Sequence, residues 1–173
     1  MKLRSLPLIL AITAGMAGTA AQAATTGNLQ FAGTVNAGTC NLSAGDENRE
    51  IKLPTVKVSD FDNTPGAGLE AFDLVANCES DISTVYFMFS GTPSTGNGTL
   101  FANTGTARGI ALQLAHRNIV VIPANGTPEQ RTREAIRTGG IAFIRMSAAY
   151  HTTGEPISSG TLNSAVTVDI SYN

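Results

Sequence analysis

Short stretches in which apolar and polar residues alternate, repeated six or more times, narrow the possible folds of this chain more than any other feature. Leu29, Phe31, Gly33 and Val35 alternate with Asn28, Gln30, Ala32 and Thr34. Phe72, Leu74, Ala76 and Cys78 share one face, as do Val85, Phe87 and Phe89. Ile110, Leu112 and Leu114 repeat the pattern, a β-branched run follows over 117–122, and Ala142, Ile144, Met146, Ala148 and Tyr150 extend it. Val166, Val168, Ile170 and Tyr172 come last, interleaved with Thr167, Asp169 and Ser171. Period two turns successive side chains to opposite faces, the signature of half-buried antiparallel strands. The pieces between are turn-rich: NTPGAG, GTPSTGNG, ANTGTARG, PANGTPE and HTTGEPISSG. Only PEQRTREAIR, residues 128–137, has helical character. Thr127 stands in its N-cap position, but Ala135 and Ile136 are its sole apolar anchors, so a single turn or an exposed loop fits equally. With 42% hydrophobic and only 14% charged residues the chain has the means for a packed core and is not disordered. Neither an internal repeat nor a composition shift divides it. The expected class is all-β, and the immunoglobulin-like sandwich is the commonest solution near this length.

The first residues give the compartment. Lys2 and Arg4 precede the apolar stretch LPLILAITAGMAG, and Ala21-Gln22-Ala23 supplies the small residues of a cleavage site. Residues 1–23 therefore read as a secretory signal peptide cut after Ala23. Their continuous apolar core falls short of the roughly 20 residues that span a bilayer. Cys40 and Cys78 both lie in the exported part, and two thiols in an oxidising compartment are expected to form one disulfide. A zinc site is a poor rival, because there is no CxxC and the only histidines, His116 and His151, lie far downstream.

No catalytic constellation stands out. His116 and His151 each flank an apolar run with no nucleophile at a recognisable spacing, and GxSxG, HExxH and GxxxxGK[ST] are absent from the sequence. Asn97-Gly98-Thr99 and Asn125-Gly126-Thr127 read as turns rather than glycosylation sites. Asp46, Glu47, Glu50, Asp60 and Asp62 lack calcium-loop spacing and read as a solvated loop. Arg131, Arg133 and Arg137 make a small basic patch, and a net charge of −2 gives no footprint for nucleic acid. The expectation is a protein that is not an enzyme and uses no metal or cofactor.

Three features together resemble the structural pilins of type 1-like fimbriae, assembled by the chaperone–usher pathway. They are GNLQFAGTVNAGTC, an alternating run ahead of the first cysteine; the pair Cys40 and Cys78, the second within AFDLVANC; and the end of the chain. There Gly160 is fourteenth from the last residue, Tyr172 is penultimate, and an alternating strand leads between them. The resemblance implies an immunoglobulin-like sandwich over residues 37–173 that lacks its final strand. The missing strand is lent first by a periplasmic chaperone and then by the N-terminal extension of a neighbouring subunit. The extension would be residues 24–36, with Leu29, Phe31, Gly33 and Val35 facing the groove and Gly33 as the small mid-strand residue. Alternation alone fits an ordinary first strand as well; the resemblance makes it a donor. It likewise implies that Gly160, Val166, Val168, Ile170 and Tyr172 belong to the groove-lining, chaperone-contacting end. Implied partners are neighbouring subunits in a homo- or heteropolymer, the chaperone, an outer-membrane usher and, through the assembled fibre, a host receptor. The chain would be exported through the periplasm to a cell-surface fimbrium. A carbohydrate-binding adhesin or a minor adaptor is the alternative. Tip adhesins of this kind carry a further lectin domain, and this chain has no Trp to stack on a sugar.

Overall fold

The computed structural model describes residues 29–173, so the expected signal peptide and residues 24–28 of the expected extension lie outside the described residues. The chain separates into two units, residues up to Val35 and Asn36–Asn173. In the first unit residues 29–35 form no strand, and the side chains of Leu29, Phe31 and Val35 are exposed.

The second unit is built from eight strands. These are β1 (Cys40–Leu42), β2 (Gly66–Cys78), β3 (Thr84–Gly91), β4 (Ile110–His116), β5 (Val120–Val121), β6 (Thr132–Ile136), β7 (Ile141–Thr152) and β8 (Val166–Tyr172). They make a five-stranded sheet in the order β1-β2-β7-β4-β5 and a three-stranded sheet in the order β6-β3-β8. Every pairing between these strands is antiparallel. The period-two faces supply the core between the sheets. Leu74, Ala76, Ile144, Met146 and Leu114 face inward from the larger sheet, and Val85, Phe87 and Phe89 from the smaller. Each large side chain buried this way stabilises the fold by about 1.5–3 kcal/mol before entropy costs. Cys40 and Cys78, directly opposed in the β1–β2 ladder, form a disulfide.

Two stretches depart from the sequence reading. Residues 128–137 divide into one helical turn, α1 (Pro128–Arg131), and the edge strand β6. Thr127 does cap the turn: its hydroxyl accepts from Gln130 N while the Gln130 side chain accepts from Thr127 N at 2.9 Å. β6 carries no alternating apolar run in the sequence, because only Ala135 of it is buried. The run 117–122 is not one strand. Arg117 and Asn118 take left-handed backbone, φ 52 and 59, and Ile119 N closes a turn onto His116 O at 3.1 Å. That reversal leaves only Val120 and Val121 to pair with β4.

Candidate functional site

β8 is the site's foundation. It pairs with β3 over seven residues, from Val85–Tyr172 to Gly91–Val166, and ends its sheet, so its other edge has no strand partner among the described residues. Val166, Val168 and Ile170 turn toward the core yet stay half-buried, Tyr172 is 38% exposed, and Thr167, Asp169 and Ser171 face outward. A groove of about 1010 Å³ opens beside this edge. Its floor is apolar: Phe89 of β3, Leu112 and Leu114 of β4, Phe72 and Leu74 of β2, and Val166 and Val168 of β8. Leu42, Leu53 and Leu162 line its sides, and residues 46–52 form a polar rim. An unpaired edge above half-buried apolar side chains exposes backbone donors and acceptors and core surface at once, the combination that strand addition satisfies.

The rim segment is held by side chains in place of a ladder. Beyond Leu42, Ser43 N donates to Val75 O at 2.8 Å, and Val75 N in turn donates to Asp46 Oδ2 at 2.9 Å. Arg49 donates to Asp46 Oδ1 at 3.0 Å and to Asp73 O at 2.8 Å, and its guanidinium lies 5.8 Å from the Phe72 ring centre. Asp46 was expected in a solvated acidic loop. Its side chain is only 7% exposed, because the β2 edge needs an acceptor where β1 has ended. At the groove's far end, the segment before β8 is tied to the loop after Phe101. Thr104 N donates to Asn163 O at 2.8 Å, and Asn163 N to Asn103 Oδ1 at 2.9 Å.

The sequence-derived site residues fall in three places. Val166, Val168, Ile170 and Tyr172 lie on β8 as a single alternating face. Gly160 lies six residues ahead of β8 and outside the groove lining. A Cβ there would stand 2.6 Å from Thr106 C and collide with Ala107 N, so backbone crowding accounts for this glycine. Leu29, Phe31, Gly33 and Val35 belong to the other unit. Asp46, Leu53 and Leu162 were missed, since each acts through a tertiary contact that no local pattern announces. The arginines 131, 133 and 137 are cross-links more than a patch: they donate to Phe89 O, Val121 O and Cys78 O at 3.2–3.3 Å. His151 Nδ1 lies 2.9 Å from Thr152 O. Burial, with the Arg117 and Arg133 guanidinium groups nearby, lowers the pKa of His116 below the usual histidine value. Among the described residues no group of three or more His, Cys, Asp or Glu is placed to hold a metal. None of their helices is long and apolar enough to cross a membrane.

A family model described as Fimbrial protein matches residues 29–173. The chain belongs to the fimbrial protein family. This fimbrial protein is 24% identical over 143 residues to Fimbrial protein 987P of Escherichia coli, covering 77% of this chain and 72% of that one. Its fold is similar to that of the P pilus rod subunit PapA, with a TM-score of 0.63 at 16% identity, over 78% of this chain and 99% of that chain. A subunit chain in a chaperone–usher pilus structure is similar with a TM-score of 0.64 at 16% identity, over 86% of this chain and 96% of that chain. The CupB6 tip adhesin of Pseudomonas aeruginosa matches with a TM-score of 0.56 at 20% identity, over 69% of this chain but only 34% of the adhesin. The two-sheet sandwich of the fimbrial protein is thus the immunoglobulin-like fold of chaperone–usher pilins.

Proposed function

We propose that the protein is a structural subunit of a bacterial surface fimbria, polymerised when residues 24–36 of one copy add a strand to the groove of the next. The observation that carries this reading is the free edge of β8 above a groove floored by Phe89, Leu112, Leu114 and Val168. Leu29, Phe31 and Val35, 80%, 91% and 98% exposed, are the complementary half: an apolar face that the described residues leave uncovered. Leu, Phe and Val side chains each gain about 1.5–3 kcal/mol on burial, and main-chain bonds along β8 add alignment. In this reading Gly33, which has nothing within 4 Å of a Cβ position in the lone subunit, is the small residue in the middle of the donated strand. A periplasmic chaperone occupies the same groove before assembly and an outer-membrane usher exports the subunit. The shaft role is favoured over adhesion, since the groove and the extension together provide for assembly.

The reading is tested by comparing the exported chain with one lacking residues 24–36. The shortened subunit is expected to fold, to accept a donor and to terminate growing polymers, while making none alone. Polymers of ordinary length from the shortened chain would refute strand donation.

A further inference from the structure

The residues between the extension and β1 are fastened to the 79–83 connection. Cys40 pairs with Cys78, so β1 begins at the end of the sandwich where the 79–83 connection lies. β8 ends there too: Ser83 N donates to Asn173 O at 3.1 Å and Asn173 N to Thr84 O at 3.2 Å. From this end β1 already runs into the groove wall, where Leu42 lines it. To fill its own groove, the segment ahead of Asn36 would have to reverse direction within residues 36–39. A tight reversal over 35–38 is closed by Gly38 N–H donating to Val35 C=O, the i to i+3 bond of a β-turn. That N–H is already donated to Asp81 Oδ2 at 2.7 Å, a charge-assisted bond. Gly38 is buried, and a Cβ on it would stand 2.9 Å from both Asp81 Cγ and Glu79 Cβ. Thr39 is held in turn, its carbonyl accepting from Glu79 N at 3.0 Å. Only Asn36 and Ala37 remain free to turn, and the two-residue hairpin turns ask either for positive φ at both, which Ala37 resists, or for glycine at the first, where Asn36 stands.

We infer that Asp81 is a positioning residue for strand donation: by holding Gly38 N–H it withholds the turn-closing donor, so the extension enters a neighbour's groove and not its own. The inference rests on the proposed donor-strand function and adds to it the residue that directs donation in trans.

The test refolds the full exported chain by dilution, alone and with an excess of a fluorescent synthetic peptide of residues 24–36. Gel filtration separates monomer from polymer, and fluorescence anisotropy reads whether a groove still takes the peptide. Wild type is expected to bind the peptide and, without it, to polymerise. Asp81→Ala is expected to raise the ratio of monomer with a closed groove to polymer about tenfold, the factor equivalent to 1.4 kcal/mol. Asp81→Asn keeps an acceptor for Gly38 N–H and is expected to restore the wild-type ratio, which a loss of general stability would not. Inserting four glycines after Asn36, with Asp81 intact, supplies the length for reversal and gives the reference signal of a closed monomer; if Asp81→Ala does not fold, Asp81→Leu, similar in shape but without an acceptor for Gly38 N–H, takes its place. Wild-type polymerisation by the variant that lacks the acceptor at position 81, with peptide binding retained, overturns the role of Asp81. Failure of wild type to bind the peptide overturns the donor reading beneath it, a result the peptide arm distinguishes.

Discussion

Replacing Phe31 by Asp separates the two fates open to the extension. In the lone subunit Phe31 is 91% exposed, so an aspartate there removes no packing and is expected to leave subunit stability unchanged within about 0.5 kcal/mol. In a neighbour's groove the same change forfeits about 1.5–3 kcal/mol of apolar burial. It also brings a carboxylate against a floor of Phe89, Leu112, Leu114 and Val168. Of the two rim cations, Arg49 is already engaged by Asp46 and by Asp73 O, and Lys52 is exposed on the rim, not on the floor. An unpaired buried charge costs several kcal/mol more, or is neutralised at similar expense. Together these reach at least about 4 kcal/mol, close to a thousandfold in affinity. A peptide of residues 24–36 carrying Phe31→Asp should therefore lose that factor in an anisotropy titration, and the full-length variant should form no fibres. Gln30→Asp, one position along and on the other face, should cost less than tenfold. Equal losses at positions 30 and 31 would refute the alternating contact. Unfolding of the Phe31→Asp subunit would place the segment in its own sandwich, and normal fibres would remove it from assembly altogether.

The sandwich itself makes further outcomes checkable. Cys40 and Cys78 are separated by 38 residues, which corresponds to a ceiling of about 4 kcal/mol from loop closure, so Cys40→Ala/Cys78→Ala should lower the melting temperature of the peptide-filled subunit by roughly 8–16 °C. Gly160→Ala drives a Cβ into the Thr106–Ala107 backbone and should cost about 1–3 kcal/mol in denaturant titration, whereas Gly33→Ala should leave the lone subunit unchanged. His116 has a folded-state pKa below its unfolded value, so the unfolded chain binds the proton first and stability falls as pH drops through about 6.5. His116→Gln should flatten the decline in melting temperature between pH 7 and 5.5; an unaltered slope would remove His116 as its source.

The strands were legible where one face is buried. Val85, Phe87 and Phe89, or Ala142, Ile144 and Met146, alternate because the sheet they form has a dry side and a wet one. β6 was not legible, since an edge strand with one buried alanine carries no period. Of the groove, the β8 face could be read from Val166, Val168 and Ile170, while its opposite wall could not. Asp46 sits in a polar run that reads as solvated, and its burial follows only from the end of β1 leaving Val75 N–H in need of an acceptor. Asp81 is equally silent in sequence, because Gly38 is brought to it from 43 positions away. Local patterns report the environment of a face; they do not report which side chain stands in for a missing strand.

Amide hydrogen exchange on β8, with and without the peptide of residues 24–36, tests strand addition most directly. Within Val166–Tyr172 the amides bonded to β3 should be protected in both samples, and those on the open edge should exchange fast in the lone subunit and slow by at least a hundredfold when the peptide binds. Binding of the peptide with no change on β8, and new protection elsewhere on the surface, would contradict it.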